Sequence, residues 1–469
     1  MSTLQGELPD RDALTEFITT ARWFGGKGRH ARLIGVRRAA TLGSLDGETG
    51  GPLLAIDLVT VGYADGERAE ETYQVPLACY TDAQERLEHA AVGIWDDATL
   101  GKVHVYDAVH DHLSGGLLLR AFDAEATVGE LRFRRLPGHD LDLDAHSTLL
   151  SAEQSNSSLA FGEDALLKLF RKVGAGHNPD IEIHRALTQA GSDNVAALYG
   201  WLELASDEPV HLAMLQQFLR TASDGWELAL TSVRDLFAEA DLRADEVGGD
   251  FAAESERLGQ ATLAVHDALS EAFPTETWGD DRLAELAAAM DRRLTAALGV
   301  VPELADHAGA LRAAYAAVAD LTEPVQAQRV HGDLHLGQTL RTVKGWKLVD
   351  FEGEPAKPLS ERIRPDSRWR DVAGMLRSFD YAAHAMQPDA ASDENAQRQI
   401  DYRAEEWSAR NREAFLRGYL GEGTPTAAEQ VLLTAYVADK AVYETVYEAR
   451  NRPSWLPIPL AAIKRITSG

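Results

Sequence analysis

Two short segments in the second half of the chain carry residues that could transfer a phosphoryl group. One is the run His-Gly-Asp-Leu-His-Leu-Gly-Gln over 331–338, and the other is Asp-Phe-Glu-Gly-Glu-Pro over 350–355. Phosphoryl transfer requires a carboxylate beside the attacking hydroxyl and further oxygen ligands that hold Mg²⁺ against the triphosphate. Asp333 is the candidate for the first role, and Gln338 and Asp350 are candidates for the second.

The spacing of these residues favours kinase chemistry. In the protein-kinase signature an Asn follows the catalytic Asp by five residues, and a metal-binding Asp comes later in the chain. Here Gln338 follows Asp333 by five residues, and Asp350 ends an apolar stretch. We therefore predict that Asp333 orients and deprotonates the acceptor hydroxyl and that Gln338 and Asp350 bind Mg²⁺. Glu352 either binds a second ion or lies outside the coordination sphere. The alternative to the whole assignment is a turn in an unrelated α/β protein.

These motifs resemble those of the actinobacterial maltokinases, which belong to the aminoglycoside-phosphotransferase-like kinases and are distant relatives of eukaryotic protein kinases. Aminoglycoside enzymes usually carry Asn at the position of Gln338, so the Gln and the run 350–355 favour the sugar-kinase branch. The stretch Trp-Phe-Gly-Gly-Lys over 23–27 is also similar to one near the start of maltokinases. We interpret it as structural, because it lacks the Gly-x4-Gly-Lys-Ser/Thr frame of a phosphate-binding loop.

A second group of residues is expected to bind the nucleotide. Lys168 lies in the middle of the apolar segment 165–171, where a charge is unfavourable unless it meets an anion. The alternative is a surface strand with this lysine in water. The residues before it suit a turn whose N–H groups and hydroxyls approach phosphates; they are Ser155, Asn156, Ser157 and Ser158. The resemblance implies that Lys168 contacts the α- and β-phosphates and pairs with Glu182. It also implies a hinge near Gln216 and Phe218 whose backbone binds adenine.

The last long helical segment indicates where a sugar would bind. Tyr443 and Tyr447 repeat at i, i+4 beside carboxylates, a mixture of aromatic plates and polar groups that suits pyranose rings. The resemblance implies that this helix lines the sugar pocket through Tyr443, Glu444, Tyr447 and Asn451. Intrahelical salt bridges beside buried tyrosines would give the same pattern, and the sequence leaves both interpretations open. We also place His331 near the substrate, as a hydrogen-bonding strut of the loop.

The elements that must position these residues run from strands to helices. Segments 55–63 and 71–77 are rich in β-branched and aromatic residues around the turn signal Ala-Asp-Gly at 64–66, which predicts a hairpin. A short helix is predicted over 10–22, and a further short strand over 116–120. Amphipathic helices are predicted from the periodicity of apolar residues at 226–240, 252–272, 281–298, 307–321 and again from 371.

This order predicts the α+β class. The resemblance implies a two-lobed, eukaryotic-protein-kinase-like fold with an additional N-terminal cap subdomain and a mostly helical C-terminal lobe. On that basis we assign residues 1–95 to the cap and 96–219 to the nucleotide-binding N-lobe with its hinge. Residues 220–469 form the C-lobe, with the catalytic and sugar-binding site.

Composition excludes several classes of function. The single cysteine, Cys79, excludes a disulfide framework and a multi-thiolate zinc site. A net charge of −28 disfavours nucleic acid and anionic lipid as partners. The acidic, polar start does not resemble a secretion signal, and no apolar run of about 18 residues suggests a membrane span. We therefore expect a soluble cytoplasmic protein that contacts neither nucleic acid nor membrane.

The sequence thus predicts an enzyme with ATP and Mg²⁺ as cofactors. The resemblance implies phosphorylation of maltose at the anomeric hydroxyl, which would supply maltose 1-phosphate to α-glucan or glycogen synthesis, and an association with a trehalose synthase. The alternatives are a kinase of another sugar, an aminosugar or an aminoglycoside, and a nucleotide-binding regulatory pseudokinase. Because a pseudokinase commonly loses a catalytic residue, the intact set Lys168, Asp333, Gln338 and Asp350 argues against the last of these.

Overall fold

The computed structural model describes residues 11–45, 51–64, 70–97, 101–150, 155–239, 241–354, 357–386 and 394–468. Part of the predicted 64–66 turn, the first residue of the predicted 10–22 helix and Pro355 lie outside these ranges. The chain divides into two compact units. The first comprises the described parts of Met1–Arg185 and Ala196–Arg220, and the second comprises Ala186–Val195 and the described parts of Thr221–Gly469. The predicted boundaries at 95 and 219 stay predictions.

The first unit is built mainly from two antiparallel sheets. One has the order β1-β2-β3-β5-β4, with β11 paired to β3, and the other has the order β6-β7-β12-β13-β10-β9-β8. Its strands are β1 (Ala31–Gly43), β2 (Leu53–Tyr63), β3 (Glu70–Tyr80), β4 (Ala91–Asp97), β5 (Gly101–Asp107), β6 (Thr127–Val128), β7 (Leu131–Arg135), β8 (Ser147–Leu150), β9 (Asn156–Phe161), β10 (Ala165–Phe170), β11 (Lys172–Val173), β12 (Leu198–Leu204) and β13 (His211–Gln217). Its helices are α1 (Arg11–Thr20), α2 (His112–Asp123) and most of α3 (Pro179–Gln189).

The predicted hairpin is confirmed, because β2 and β3 pair antiparallel with Thr60 opposite Thr72. The strand predicted over 116–120 is wrong, since these residues lie inside α2. Asp111 caps that helix by accepting hydrogen bonds from the N–H groups of Leu113 and Ser114. A short apolar run does not distinguish a strand from a buried helix.

The second unit is mostly helical. Its long helices are α4 (Gly225–Ala238), α5 (Ala252–Ala272), α6 (Asp280–Leu298), α7 (Ala308–Ala319), α9 (Trp369–Ala385), α10 (Glu394–Leu420), α11 (Ala427–Asn451) and α12 (Pro457–Ser468), with the short α8 (Leu359–Arg362). Its strands form the small sheets β14-β17-β18 and β15-β16 and are β14 (Ser223–Asp224), β15 (Glu276–Trp278), β16 (Val325–Ala327), β17 (Thr339–Thr342) and β18 (Gly345–Leu348). The predicted helices are confirmed by α4 to α7 and α9. Of the helices in the described ranges, none is both long and apolar enough to cross a membrane.

The 23–27 stretch has structural contacts, in agreement with its interpretation. Phe24 is buried, and the N–H of Gly25 donates to the hydroxyl of Tyr73 at 3.3 Å. A Cβ at Gly26 would collide with the ring of Tyr63. This turn therefore packs against the first sheet.

Candidate active site

The loop 331–338, here called the catalytic loop, is held by helix α9. Asp371, in the first turn of α9, accepts hydrogen bonds from the N–H groups of His331 at 2.7 Å and Gly332 at 2.8 Å, and from Nε2 of His266 at 3.0 Å. Burial opposes its charge, but the hydrogen bond and the charge of His266 outweigh burial and keep the pKa of Asp371 below its usual value. Asp371 therefore fixes the backbone immediately before Asp333.

The same helix contacts the catalytic loop at two further points. Gly374 lies so close to the carbonyl oxygen of Leu334 that a Cβ would collide with it. Ser378 accepts a hydrogen bond from the N–H of Leu336 at 3.0 Å. Positions 371, 374 and 378 recur at helical spacing and form one stripe of α9.

His331 is a strut of this loop. Its Nε2 lies 3.0 Å from the carbonyl oxygen of Val349, and its ring lies 4.8 Å from that of Phe351. The side chain is buried and is not among the residues that line the cleft described below. The predicted strut is therefore confirmed, because its ring joins the catalytic loop to the segment after β18, while proximity of His331 to the substrate stays a prediction.

The two predicted magnesium ligands lie side by side. Nε2 of Gln338 donates to Oδ2 of Asp350 at 3.0 Å. Asp350 follows β18 with a φ of +66°, a left-handed conformation that is unusual for a residue other than glycine and recurs at functional sites. Asp350 and Glu352 each offer a carboxylate oxygen within 4.8 Å of the other. Mg²⁺ takes oxygen ligands and usually needs only one or two carboxylates beside the phosphates, so these residues fit such an ion.

A residue that the sequence did not indicate contacts Asp333. Nζ of Lys440, on helix α11, lies 3.1 Å from Oδ1 of Asp333. Burial opposes the charge on Lys440, but the attraction of Asp333, Glu354 and Glu444 outweighs it and raises the pKa of this lysine. The only sequence signal was that Lys440 precedes Tyr443 and Glu444 at i+3 and i+4, on the helix face predicted to line the sugar pocket.

Asp333 opens into a cleft of about 710 Å³ along α11, within the range of about 300 to 1,000 Å³ common for ligand sites. Of the predicted sugar residues, Tyr443, Glu444 and Tyr447 line it. Asn451 does not line it: this residue is exposed, and its amide donates to the carbonyl oxygen of Tyr447. The other lining residues are Asp224, Trp226, Glu227, Asp333, His335, Gly337, Glu354, Gly374, Ser378, Tyr381, Lys440, Glu448, Arg452 and Trp455.

Glu444 is a buried ion-pair partner as well as a lining residue. Arg377 of α9 donates to its Oε2 from Nε at 2.8 Å and from Nη2 at 2.6 Å. Burial raises the pKa of Glu444 although Arg377 opposes the shift. The two tyrosines beside it are about half exposed, at 48% and 45%. The alternative of buried tyrosines beside intrahelical salt bridges is therefore wrong for the tyrosines, although Glu448 and Arg452 do form an intrahelical pair.

Lys168 of the first unit is buried and paired, so the surface alternative is wrong. Its Nζ lies 3.0 Å from Oδ2 of Asp180, whereas the predicted partner was Glu182, whose carboxylate lies 3.7 Å from Nδ1 of His177. Residues two apart on a helix project about 200° apart, and Asp180 is the one that faces β10. Burial opposes the charge of Asp180, but Lys168 and His184 outweigh burial and hold its pKa well below the usual value.

The predicted phosphate turn falls partly in a strand. Asn156, Ser157 and Ser158 belong to β9, and Ser158 is buried opposite Lys168. The hydroxyl of Ser157 accepts a hydrogen bond from Nε of Arg171 at 2.8 Å. The turn assignment is therefore wrong for these three residues. Ser155 lies outside β9, and its contact with phosphate stays a prediction.

The predicted hinge has one unsatisfied acceptor. Oε1 of Gln216 is buried without a hydrogen-bond partner among the described residues, which fits a donor supplied by a ligand. The backbone of Gln216 pairs with both neighbouring strands. The N–H of Phe218 already donates to the carbonyl oxygen of Asp164 at 2.7 Å. Adenine contacts at the hinge stay a prediction, and the N–H of Phe218 is not available for them.

Comparison with known proteins identifies two family matches. The maltokinase N-terminal cap domain matches residues 17–111, and the phosphotransferase enzyme family matches residues 249–428. A glucosamine kinase of Streptacidiphilus jiangxiensis is 29% identical over 324 residues, which are 66% of this chain and 70% of the relative. A glucosamine kinase of Mycolicibacterium smegmatis is 27% identical over 330 residues, with coverages of 67% and 78%.

Solved structures of glucosamine kinase share the fold. One, in complex with glucosamine, ADP and inorganic phosphate, has a TM-score of 0.68 at 22% identity and covers 96% of this chain and 98% of its own. A second crystal form has a TM-score of 0.69, also at 22% identity, with coverages of 97% and 99%. The chain therefore has the predicted α+β, kinase-like phosphotransferase fold, with an N-terminal sheet region and a helical C-terminal part.

Together the comparisons support the superfamily of aminoglycoside phosphotransferases and protein kinases, and a phosphotransferase activity with an alcohol group as acceptor. ATP and Mg²⁺, the predicted cofactors, fit this fold and the oxygen ligands at Gln338 and Asp350.

Proposed function

We propose that this protein is an ATP-dependent kinase that phosphorylates maltose at its anomeric hydroxyl and yields maltose 1-phosphate. The observation that carries the proposal is the length of the cleft beside Asp333. Lining residues recur along α11 from Lys440 to Glu448, which is about 12 Å at ~1.5 Å per residue, and the cleft continues to Arg452 and Trp455. A single pyranose ring would fill only part of this length, whereas a disaccharide would extend along it.

The far end of the cleft suits a second sugar ring. The rings of Tyr381 and Trp455 lie 6.1 Å apart, and the guanidinium of Arg452 lies 4.4 Å from the ring of Trp455 and 5.5 Å from that of Tyr447. Aromatic faces pack against the apolar faces of sugars, while Arg452 offers hydrogen-bond donors to hydroxyls. The match to the maltokinase cap over 17–111 also supports maltose.

In the proposed reaction the oxygen of the anomeric hydroxyl attacks the γ-phosphorus, and Asp333 accepts the proton of that hydroxyl. Bound MgATP supplies the phosphoryl group, and Gln338 and Asp350 would hold the metal. Lys168, fixed by Asp180, is the candidate for the phosphate-binding lysine of such enzymes. Catalysis then depends on alignment and on neutralisation of phosphate charge.

The test is ADP release with maltose as acceptor, followed by an assay of the reducing end. Phosphorylation at C1 blocks ring opening, so the reducing-end signal should fall as ADP forms. Reducing sugar that stays constant during ADP release would mean that another hydroxyl is attacked. Trp455→Ala should raise the KM for maltose and leave turnover of a monosaccharide unchanged, because this residue would contact only the second ring.

Glucosamine is the second candidate, and the charge of the cleft favours it. Six carboxylates and two cationic side chains line the cleft. Four of the carboxylates have cationic partners; these are Asp333, Glu354, Glu444 and Glu448. Asp224 and Glu227 have no ion-pair partner among the described residues, so they could bind an ammonium group. The two relatives described above are named glucosamine kinase.

A comparison of glucosamine with N-acetylglucosamine tests this candidate, because acetylation removes the positive charge. ADP release with glucosamine alone, and none with maltose, would replace the maltose proposal and leave the kinase activity standing. Association with a trehalose synthase, a cytoplasmic location and a role in α-glucan synthesis stay predictions; co-purification with a tagged trehalose synthase would test the first.

A further inference from the structure

We propose that Lys440 is a positioning residue for phosphoryl transfer, which holds Asp333 so that its second carboxylate oxygen faces the acceptor hydroxyl. The proposal rests on the kinase activity proposed above but not on the choice of sugar. Its starting point is an asymmetry in Asp333: Oδ1 lies 3.1 Å from Nζ of Lys440, while Oδ2 has no hydrogen bond among the described residues.

This contact restricts the rotation of the carboxylate. The backbone of Asp333 is already fixed, because Asp371 holds the two preceding N–H groups. The remaining freedom is that of the Asp333 side chain, and Lys440 ties one of its two oxygens. The other oxygen is left for the sugar hydroxyl, and catalysis by alignment needs this kind of preorganisation.

Lys440 is itself held in place. Its Nζ lies 5.6 Å from the centre of the Tyr443 ring, within the range of a cation–π contact. Glu354 and Glu444 also attract it and help to raise its pKa. Both of these carboxylates are anchored, Glu354 by Arg370 at 2.9 Å and Glu444 by Arg377 at 2.6 Å. Lys440 therefore stays charged near neutral pH.

No other cationic side chain that lines the cleft can replace it. The second one, Arg452, is paired with Glu448 at 2.7 Å and lies at the far end of α11. Lys440 also lines a smaller chamber of about 160 Å³ next to the cleft, together with Asp333, Glu354 and Arg370.

The charges change in a defined way during transfer. The hydroxyl O–H bond breaks and its proton moves to Oδ2 of Asp333, a bond forms between the sugar oxygen and the γ-phosphorus, and the bond from that phosphorus to ADP breaks. Asp333 becomes neutral, so its attraction for Lys440 falls once the proton has moved. An interaction that weakens along the reaction does not lower the barrier through its own electrostatics, so the contribution of Lys440 is the alignment of the charged Asp333 before transfer. Loss of Lys440 should thus lower kcat more than it weakens sugar binding.

The test is a double-mutant cycle between Lys440→Met and Asp333→Asn, measured with radiolabelled ATP. We expect Lys440→Met to lower kcat by about 100-fold, the effect of misaligning a catalytic group by roughly 1 Å, with the KM for sugar changed less than threefold. Lys440→Arg should restore part of kcat because it keeps the charge. In the Asp333→Asn background, Lys440→Met should lower the residual rate by less than threefold, since coupled residues are not additive.

Two controls make the result specific. Lys344→Met removes an exposed lysine of the β17–β18 turn and should leave kcat unchanged. Calorimetric titration with MgATP should show that Lys440→Met still folds and binds nucleotide. The cycle is run with whichever acceptor the wild type turns over. If no sugar is accepted, the kinase proposal fails, and the cycle is run on ATP hydrolysis, where Asp333 would align water.

Three outcomes would overturn the proposal. One is a wild-type kcat in Lys440→Met. Another is a 100-fold loss of rate when Lys440→Met is added to Asp333→Asn. The third is an effect confined to the KM for sugar, which would make Lys440 a sugar-binding residue.

Discussion

Replacing Asp371 with Asn should destabilise the second unit and disable the catalytic loop together. The carboxylate accepts three hydrogen bonds, from His331, Gly332 and His266. An amide has one acceptor oxygen, so at least one of these N–H groups loses its acceptor, which costs about 1.5–3 kcal/mol for a bond to a charged group. The remaining bonds lose their charge assistance and become roughly half as strong. We expect a loss of about 3–5 kcal/mol in the free energy of unfolding.

The activity should fall as well, because Asp333 directly follows Gly332. A displacement of this backbone by about 1 Å should lower kcat by about 100-fold. The measurements are urea unfolding and kcat. The matched control is Asp291→Asn, since Asp291 forms an exposed ion pair with Arg312 at 2.9 Å that contributes at most about 1 kcal/mol. The reasoning is refuted if Asp371→Asn resembles this control in both measurements.

The dependence of stability on acidic pH provides a second test of the role of Asp371. The pKa of Asp371 is lowered in the folded protein, so its stabilisation is fully present above the ordinary Asp pKa of about 3.9. It is lost as the pH falls through the lower, folded pKa. Asp371→Asn should lack this part of the acid dependence, and unfolding curves between about pH 5 and pH 2 would reveal the difference. An unchanged acid dependence in the variant would assign the titration to other carboxylates.

Four further substitutions test the separate roles in the site. Asp333→Asn should retain MgATP binding by calorimetry but lose turnover by several orders of magnitude, and a near-wild-type rate would exclude Asp333 as the base. Asp350→Ala should abolish magnesium-dependent ATP binding, whereas Glu352→Ala should weaken it less; equal losses in calorimetric titrations would make Glu352 a primary ligand. Tyr447→Ala should raise the KM for maltose more than that for ATP, and equal changes in the two would remove this tyrosine from the sugar site.

The parts of the fold with long, regular patterns were predictable from sequence. Helix α5 spans the predicted 252–272. The helix predicted from 226 begins at Gly225, directly after Asp224, which caps it by accepting from the N–H of Glu227. The error at 116–120 arose because a run of three leucines has no clear period. The cap at Asp111 was the signal that could have corrected it, since Asp before a helical run is a typical N-terminus.

The contacts between distant segments were not predictable in the same way. The apolar sequence around Lys168 predicted an anionic partner for this lysine. Which carboxylate contacts it, Asp180 or Glu182, depends on the face that helix α3 turns toward β10. The contact of Lys440 with Asp333 joins residues 107 positions apart, and no local pattern encodes it. Motif spacing identified the reacting groups, whereas tertiary packing determined which neighbours hold them.

The stripe of α9 that contacts the catalytic loop has a consequence for how this loop can vary. Asp371, Gly374 and Ser378 contact the loop backbone at 331–332, 334 and 336. The spacing of these three positions on α9 therefore fixes the spacing of the loop residues that they contact. These contacts are made to backbone atoms of the loop, so they do not themselves depend on the identity of its side chains. Insertion or deletion of one residue between 332 and 336 would shift the loop against the helix and break several of these contacts at once. The length of the catalytic loop is therefore a constraint separate from its residue identities, and a designer who grafts this loop should transfer α9 with it.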